Sequence, residues 1–254
     1  MLQIKFFIPE SYNHWDGKVV SVIYLGGCNW RCPWCNVPDL IDYNSFEEPK
    51  SLPFSEIRYK LLTHKDEIEG ICITGGEPTI HDDLPDLLSK LKKLGFRIKL
   101  ETNGSAFEML KKLITEKLID YLSLDVKSFF DLEAYAKTAG MERTKFKTPM
   151  SNVLKSIQFL KNLDPSQAAA GFDWEFRTTL VRGFHDKAAL EMLTYALNRD
   201  KKVKKYVLQN FDNTFMLDKK LEELKPFTEQ EMENFLRVAK QNIPNTIIRK
   251  RKKK

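Results

Sequence analysis

Cysteine and histidine are scarce in this sequence, with four of each among 254 residues. So few cysteines exclude a second centre held by four thiolates. None of the four histidines, His14, His64, His81 and His185, stands at zinc-ligand spacing from Cys35, and zinc needs a closed set of four ligands. Long apolar runs are absent too, because charge interrupts each candidate, and this argues against a membrane-spanning helix. Residues 1–9 are too short for a secretory leader and lack a small-residue cleavage site. These absences lead to a cytoplasmic location, where thiols stay reduced and disulfides are not the default expectation. Nothing interleaves aromatic with basic residues as a nucleic-acid groove would, so a nucleic-acid partner is not expected. Arg249, Lys250, Arg251, Lys252, Lys253 and Lys254 carry as many positive charges as the whole net charge of +6. The rest of the chain is therefore balanced, and residues 249–254 read as a solvated basic tail.

Hydrophobic content of 42% with 30% charged residues fits one globular domain, placed at residues 1–248. After an opening segment over 1–16, the β-branched run 18–25 (KVVSVIYL) reads as a buried strand. Further strands are read at 70–74, 96–101, 119–126, 174–181 and 204–209, with a last short one at 246–248. Helical spacing occupies 55–66, a leucine-rich stretch capped by Asp82 or Asp83 and closed by Gly95, and then 106–117, 152–163, 187–197 and 229–240. Residues 40–53 and 128–148 look irregular. Six strand–helix alternations specify a parallel sheet with right-handed crossovers. They fall two units short of an eightfold barrel, and a partial, open (β/α)6 barrel is the expected fold.

The cysteines concentrate in Cys28-Asn29-Trp30-Arg31-Cys32-Pro33-Trp34-Cys35, a C-x3-C-x2-C loop after the first strand. Three thiolates can hold three corners of a [4Fe–4S] cluster and leave the fourth iron open to a small molecule. Cys72 lies in an apolar run and reads as core. Thr74-Gly75-Gly76-Glu77-Pro78 follows the second strand. Glycines there let backbone approach a ligand, and a carboxylate beside them can accept from a ligand ammonium. Further polar groups, Glu101-Thr102-Asn103-Gly104 and Asp125-Val126-Lys127, follow the third and fourth strands. The carboxyl ends of parallel strands are where α/β folds build sites, so these motifs belong to one rim.

Together, C-x3-C-x-aromatic-C and Gly-Gly-Glu-Pro resemble the radical S-adenosylmethionine superfamily. The resemblance implies Cys28, Cys32 and Cys35 as cluster ligands and S-adenosylmethionine on the open iron. It places Trp34 near adenine, and Gly75, Gly76 and Glu77 at the methionine ammonium. Reductive cleavage of the sulfonium would then give a radical that abstracts a hydrogen atom. Glu101–Gly104 and Asp125–Lys127 resemble glycyl-radical-enzyme activases, and Glu175–Thr179 with Tyr206–Gln209 resemble their branch acting on anaerobic ribonucleoside-triphosphate reductase. That branch implies a partner glycyl-radical enzyme, a ferredoxin or flavodoxin as electron donor, and oxygen sensitivity. His14-Trp15-Asp16-Gly17, Asn36-Val37-Pro38 and Glu101 depart from the activase pattern, which leaves the cofactors in place and the target open.

Several assignments have plainer competitors. Asp125 and Lys127, two apart on a strand, share one face; they contact the cofactor carboxylate or a monovalent cation, or else form a local ion pair. Thr102 and Asn103 contact ribose or a cation, or make a plain turn. Arg177 grips a carboxylate bidentately, or is a solvated strand residue. His81 and His185 read as loop residues without a catalytic role. Residues 129–146 are either a partner contact or a surface loop. A small-molecule enzyme resembling 7-carboxy-7-deazaguanine synthase, a peptide-modifying enzyme and a zinc-stabilised binding module are the alternative functions. Cys32→Ala separates the cluster from chance thiols: anaerobic reconstitution with iron and sulfide should then give no [4Fe–4S] absorption and no S-adenosylmethionine turnover.

Overall fold

The computed structural model describes residues 2–42 and 51–250. Residues 251–254 of the basic tail and most of the irregular stretch 40–53 lie outside them. Eight strands form one sheet in sequence order: β1 (Ile4–Ser11), β2 (Val20–Leu25), β3 (Gly70–Gly75), β4 (Ile98–Thr102), β5 (Tyr121–Asp125), β6 (Asp173–Leu180), β7 (Tyr206–Asn210) and β8 (Thr246–Arg249). β1 runs antiparallel to β2, and every later pairing is parallel. Among the described residues no ladder joins β8 to β1, so the barrel is open. The crossovers carry α1 (Phe54–Thr63), α2 (Leu84–Lys93), α3 (Phe107–Thr115), α4 (Leu132–Ala139), α5 (Arg143–Lys161), α6 (Lys187–Leu197) and α7 (Glu229–Asn242). This is the expected six-unit partial barrel.

Alternation along each strand separates two interiors. The outward set, including Ile23, Ile73, Leu100, Leu122, Leu124 and Phe176, packs beneath the helices with Leu84, Leu88 and Leu91 of α2. The inward set near the amino ends of the strands is a plug of Trp15, Val20, Val22, Cys72 and Tyr121. Cys72 is core as expected, but its core is the barrel lumen.

Above the plug the lumen is charged. Glu175, fully buried on β6, accepts from Tyr121 Oη at 2.8 Å, Ser123 Oγ at 3.0 Å and Arg249 Nη2 at 2.8 Å. Lys205 joins it at 3.0 Å, and Lys99, also fully buried, lies 3.3 Å from Glu101. Arg177 grips Glu101 at 2.9 and 3.3 Å and reaches Asp125 through Nε at 2.6 Å. Lys127 ends the series, 3.2 Å from Asp125. Burial alone would raise the carboxyl pKa of Glu101, Asp125 and Glu175. The neighbouring cations overcome it, holding Glu101 well below its ordinary value and Asp125 and Glu175 below theirs.

Three features differ from the sequence reading. The opening segment contains β1, whose bulges hide the alternation that marks a strand. Residues 129–146, open between partner contact and surface loop, are no loop: they supply α4 and the start of α5. There Tyr135 and Phe146 are fully buried against Trp30 at ring-centroid distances of 6.1 and 5.6 Å. The helix read at 152–163 therefore starts earlier, at Arg143, and runs through Pro149, because Phe146, Val153, Ile157 and Leu160 bury one helical face along it. Arg249, read as the head of the tail, ends β8 and is only 8% exposed. It donates to Asp16 in the β1–β2 connection at 2.6 and 2.7 Å, so an ion pair spans the gap between the sheet's two edges.

The depressed carboxylates make stability pH-dependent with a defined sign. Each contributes fully above its unfolded pKa, near 4.5 for glutamate, and loses that contribution as pH falls toward its folded value. Urea denaturation should therefore give nearly constant stability from neutral pH to about pH 5 and a decline below it. Glu175→Gln should lower stability at pH 7 and flatten that decline.

Candidate active site

The strand ends open into a cavity of about 340 Å3. Every candidate named from sequence lines it: Cys28, Cys32, Cys35, Trp34, Gly75, Gly76, Glu77, Thr102, Asn103, Asp125, Lys127 and Arg177. The structure thus brings together residues from five successive strand ends.

The cysteine loop is clamped along its length. Gly27 N–H donates to Leu40 O at 2.6 Å and Cys28 N–H to Ile41 O at 3.1 Å. Arg31 N–H donates to Ala139 O at 2.9 Å, at the carboxyl end of α4. Gly140 follows at φ +62°, and a Cβ there would lie 1.8 Å from Arg31 O, so only glycine permits this approach. On the outer side Leu217 N–H donates to Cys35 O at 3.0 Å and Asp218 N–H to Pro33 O at 2.9 Å. Burial pushes the Cys28 thiol up to about 12 and Cys32 to about 11, and raises Cys35 as well. Without a cation these groups are thiols; iron would draw them to thiolates. Three sulfur donors on one clamped loop, with Cys72 away in the plug, suit a cluster held at three corners.

The glycine strap lies against this loop. Gly76 N–H donates to Leu25 O at 2.9 Å and Glu77 N–H to Gly27 O at 2.8 Å. A Cβ on Gly76 would stand 1.9 Å from Gly27 O. The Glu77 side chain has a structural role that its motif does not show. It is 1% exposed and accepts from Thr79 N at 3.1 Å, Thr102 Oγ1 at 2.6 Å, Asn103 N at 2.7 Å and the Thr79 hydroxyl. Oε1 accepts three of these bonds and Oε2 one. Glu77 thereby knots the strap to the Thr102–Asn103 turn. Asn103 extends the knot to the cysteine loop, donating from Nδ2 to Asn29 Oδ1 at 3.0 Å.

Arg177 grips a carboxylate with both arms of its fork, as expected, but that carboxylate is Glu101 of this chain, and the guanidinium is largely buried rather than solvated. Asp125 and Lys127 are both the local ion pair and cavity-lining groups. Trp34 is 7% exposed and packs edge-on to Phe184 and His185 at 4.9 and 5.7 Å. His185 is a buried brace: its Nδ1 accepts from Val181 N–H at 3.1 Å, so Nε2–H donates to Lys127 O at 2.9 Å. His81 Nε2 donates to Gly26 O at 2.8 Å. Burial lowers the pKa of both histidines and favours these neutral forms.

The cavity also takes in His14, Tyr24, Thr74, Glu101, Thr179, Gln209 and Phe211, none of them among the candidates. Strand parity was the available signal: Tyr24 shares the inward face of Val20 and Val22, and Glu101 that of Lys99. No such signal exists for His14, which reaches the cavity from a connection.

A family model described as the Radical SAM superfamily matches residues 22–196. A Methanocaldococcus jannaschii protein named "Putative glycyl-radical enzyme activating enzyme" is 29% identical over 234 residues, covering 91% of this chain and 89% of that one. The 7-carboxy-7-deazaguanine synthase of Aquifex aeolicus is 36% identical over 104 residues, 39% of this chain and 45% of that one. In fold, the chain is similar to TYW1 with a lysine-pyruvate adduct bound, at a TM-score of 0.60 and 19% identity over 87% of this chain and 73% of that one. It is also similar to Streptococcus suis SuiB bound to precursor peptide SuiA, at a TM-score of 0.60 and 16% identity over 89% of this chain and 48% of that one.

Glu77→Gln tests the knot. The amide keeps the shape but sets an N–H2 against donors that now face an oxygen, which should cost about 1–3 kcal/mol in urea denaturation. S-adenosylmethionine affinity, read by calorimetry on the reconstituted protein, should fall with it.

Proposed function

Because this chain belongs to the radical SAM superfamily, and membership implies a [4Fe–4S] cluster and S-adenosylmethionine, we propose that it is a glycyl-radical-enzyme activase whose target is an anaerobic ribonucleoside-triphosphate reductase. The observation that carries this reading is the near full-length similarity to a protein named for glycyl-radical activation. When bound, the cluster and S-adenosylmethionine supply one-electron chemistry that ends in hydrogen-atom abstraction.

This chain's residues bind, orient and exclude water. Cys28, Cys32 and Cys35 hold the cluster. The backbone of the Gly75–Gly76–Glu77 strap receives the methionine ammonium. Lys127 offers its ammonium to the methionine carboxylate, since Asp125 takes only one of its donors. Thr102 and Asn103 border the ribose, and Trp34 walls the adenine side. Arg177 holds Asp125, and through it Lys127, in place. Abstraction of a backbone glycine hydrogen needs no general base, which accords with the structural engagement of His81 and His185. A ferredoxin or flavodoxin is the electron donor we propose.

The match to 7-carboxy-7-deazaguanine synthase supports a second reading, with a small heterocycle as substrate. One anaerobic experiment separates the two. The reduced protein, S-adenosylmethionine and a glycyl-radical reductase encoded by the same genome should give the electron paramagnetic resonance doublet of a glycyl radical. Cofactor cleavage without that doublet, together with turnover of a deazaguanine precursor, would replace the first reading by the second.

A further inference from the structure

The wall of the cavity built by β1 and β2 is not claimed by any cofactor contact proposed above. Tyr24, at the inward-facing end of β2, lines it beside His14. His14 Nε2 lies 3.1 Å from Tyr24 Oη, and His14 Nδ1 lies 2.7 Å from Ser11 Oγ. Ser11 Oγ in turn accepts from Asn13 N–H at 3.3 Å. The phenol is thus oriented by an imidazole that is itself held from behind. A phenol hydroxyl can both donate and accept, so either atom of the His14–Tyr24 contact can be the donor.

The neighbouring groups describe what this hydroxyl would meet. Tyr24 pairs in register with Thr74, whose hydroxyl donates to Glu101 at 3.2 Å. Glu101 and Asp125 neutralise Arg177, and Asp125 also engages Lys127. The cavity floor next to Tyr24 is therefore rich in hydrogen bonding, and its nearest cations, Lys99 and Arg177, are both already paired with Glu101. An anionic substrate would require an uncommitted cation there; an uncharged amide would not. Tyr24 also stands at the sheet's open side. Phe6 of β1, 44% exposed, packs edge-on against it at 6.5 Å and puts an aromatic surface beside the phenol.

We propose that Tyr24, oriented by His14, is the hydrogen-bonding contact for a backbone amide of the target polypeptide next to the reacting glycine. This rests on the activase reading and adds to it a residue that determines specificity for a peptide over a charged small molecule. His14 is a positioning residue in this arrangement.

Tyr24→Phe keeps the ring and its packing and removes only the hydroxyl. With the reconstituted protein and the partner reductase, the KM for the reductase should rise roughly five- to tenfold, the loss of one hydrogen bond. Affinity for S-adenosylmethionine and its slow cleavage without partner should stay at wild-type values. His14→Phe should move the same KM in the same direction, again without changing cofactor affinity, a separation that loss of folding would not produce. An unchanged KM in Tyr24→Phe overturns the proposal. So does an equal fall in cofactor affinity, which would place Tyr24 in the cofactor site. The wild-type control keeps the two readings apart: no glycyl radical from the wild type rejects the activase reading, whereas a normal wild type with an unaffected variant rejects only the role of Tyr24.

Discussion

The structure depends on the charge ladder inside its barrel. A sheet that does not close by backbone hydrogen bonds exposes its lumen, and an apolar lumen open on one side would be wetted. This chain fills that space with alternating cations and carboxylates from Asp16 to Lys127. Each is costly to bury alone, and each is compensated by neighbours on adjacent strands. Arg249 and Asp16 carry the ladder across the gap between β8 and the β1–β2 connection, linking the sheet's two edges where, among the described residues, no strand pairing does. Because every member between Asp16 and Lys127 has partners on both sides, the lumen resists rearrangement, and the upper members reach the cavity already oriented.

The cavity is held by a second, smaller knot. Glu77 ties the glycine strap to the turn after β4, and that turn ties itself to the cysteine loop through Asn103 and Asn29. The loop is further held by the end of α4 and by the segment after β7. Sites built from several strand ends are precise only when the connections between them are rigid. Here one buried carboxylate and a set of backbone hydrogen bonds supply that rigidity, and the ladder beneath orients Asp125 and Lys127.

Most of the frame was legible because its signals are local. β-branched runs, leucines at helical spacing and polar motifs at strand ends each lie within a short window, and they identify the open barrel and the residues that line its rim. The segments misread lack such signals. β1 is interrupted by bulges, and α5 contains Pro149, so in both cases tertiary burial overrides local pattern. Glu77 and Arg177 show the same limit at the site. Both were correctly placed in the cavity, but the partners that occupy them, Thr102 and Asn103 for one and Glu101 for the other, come from a different strand end.

By itself, then, the sequence determined the rhythm of the fold, the three sulfur donors and the strand ends at which they and the glycine strap stand, because covalent spacing and strand parity suffice for these. Tertiary structure alone decided which polar side chains face a ligand and which face each other. It turned a motif carboxylate into a structural knot, drew Arg249 out of an apparent tail into the lumen, and brought His14 to Tyr24. These outcomes arise from contacts between residues far apart in the chain, made where burial drives charges and hydrogen-bonding groups to partners, with Trp30 Nε1 and Arg249 Nη1 as exceptions among the described residues.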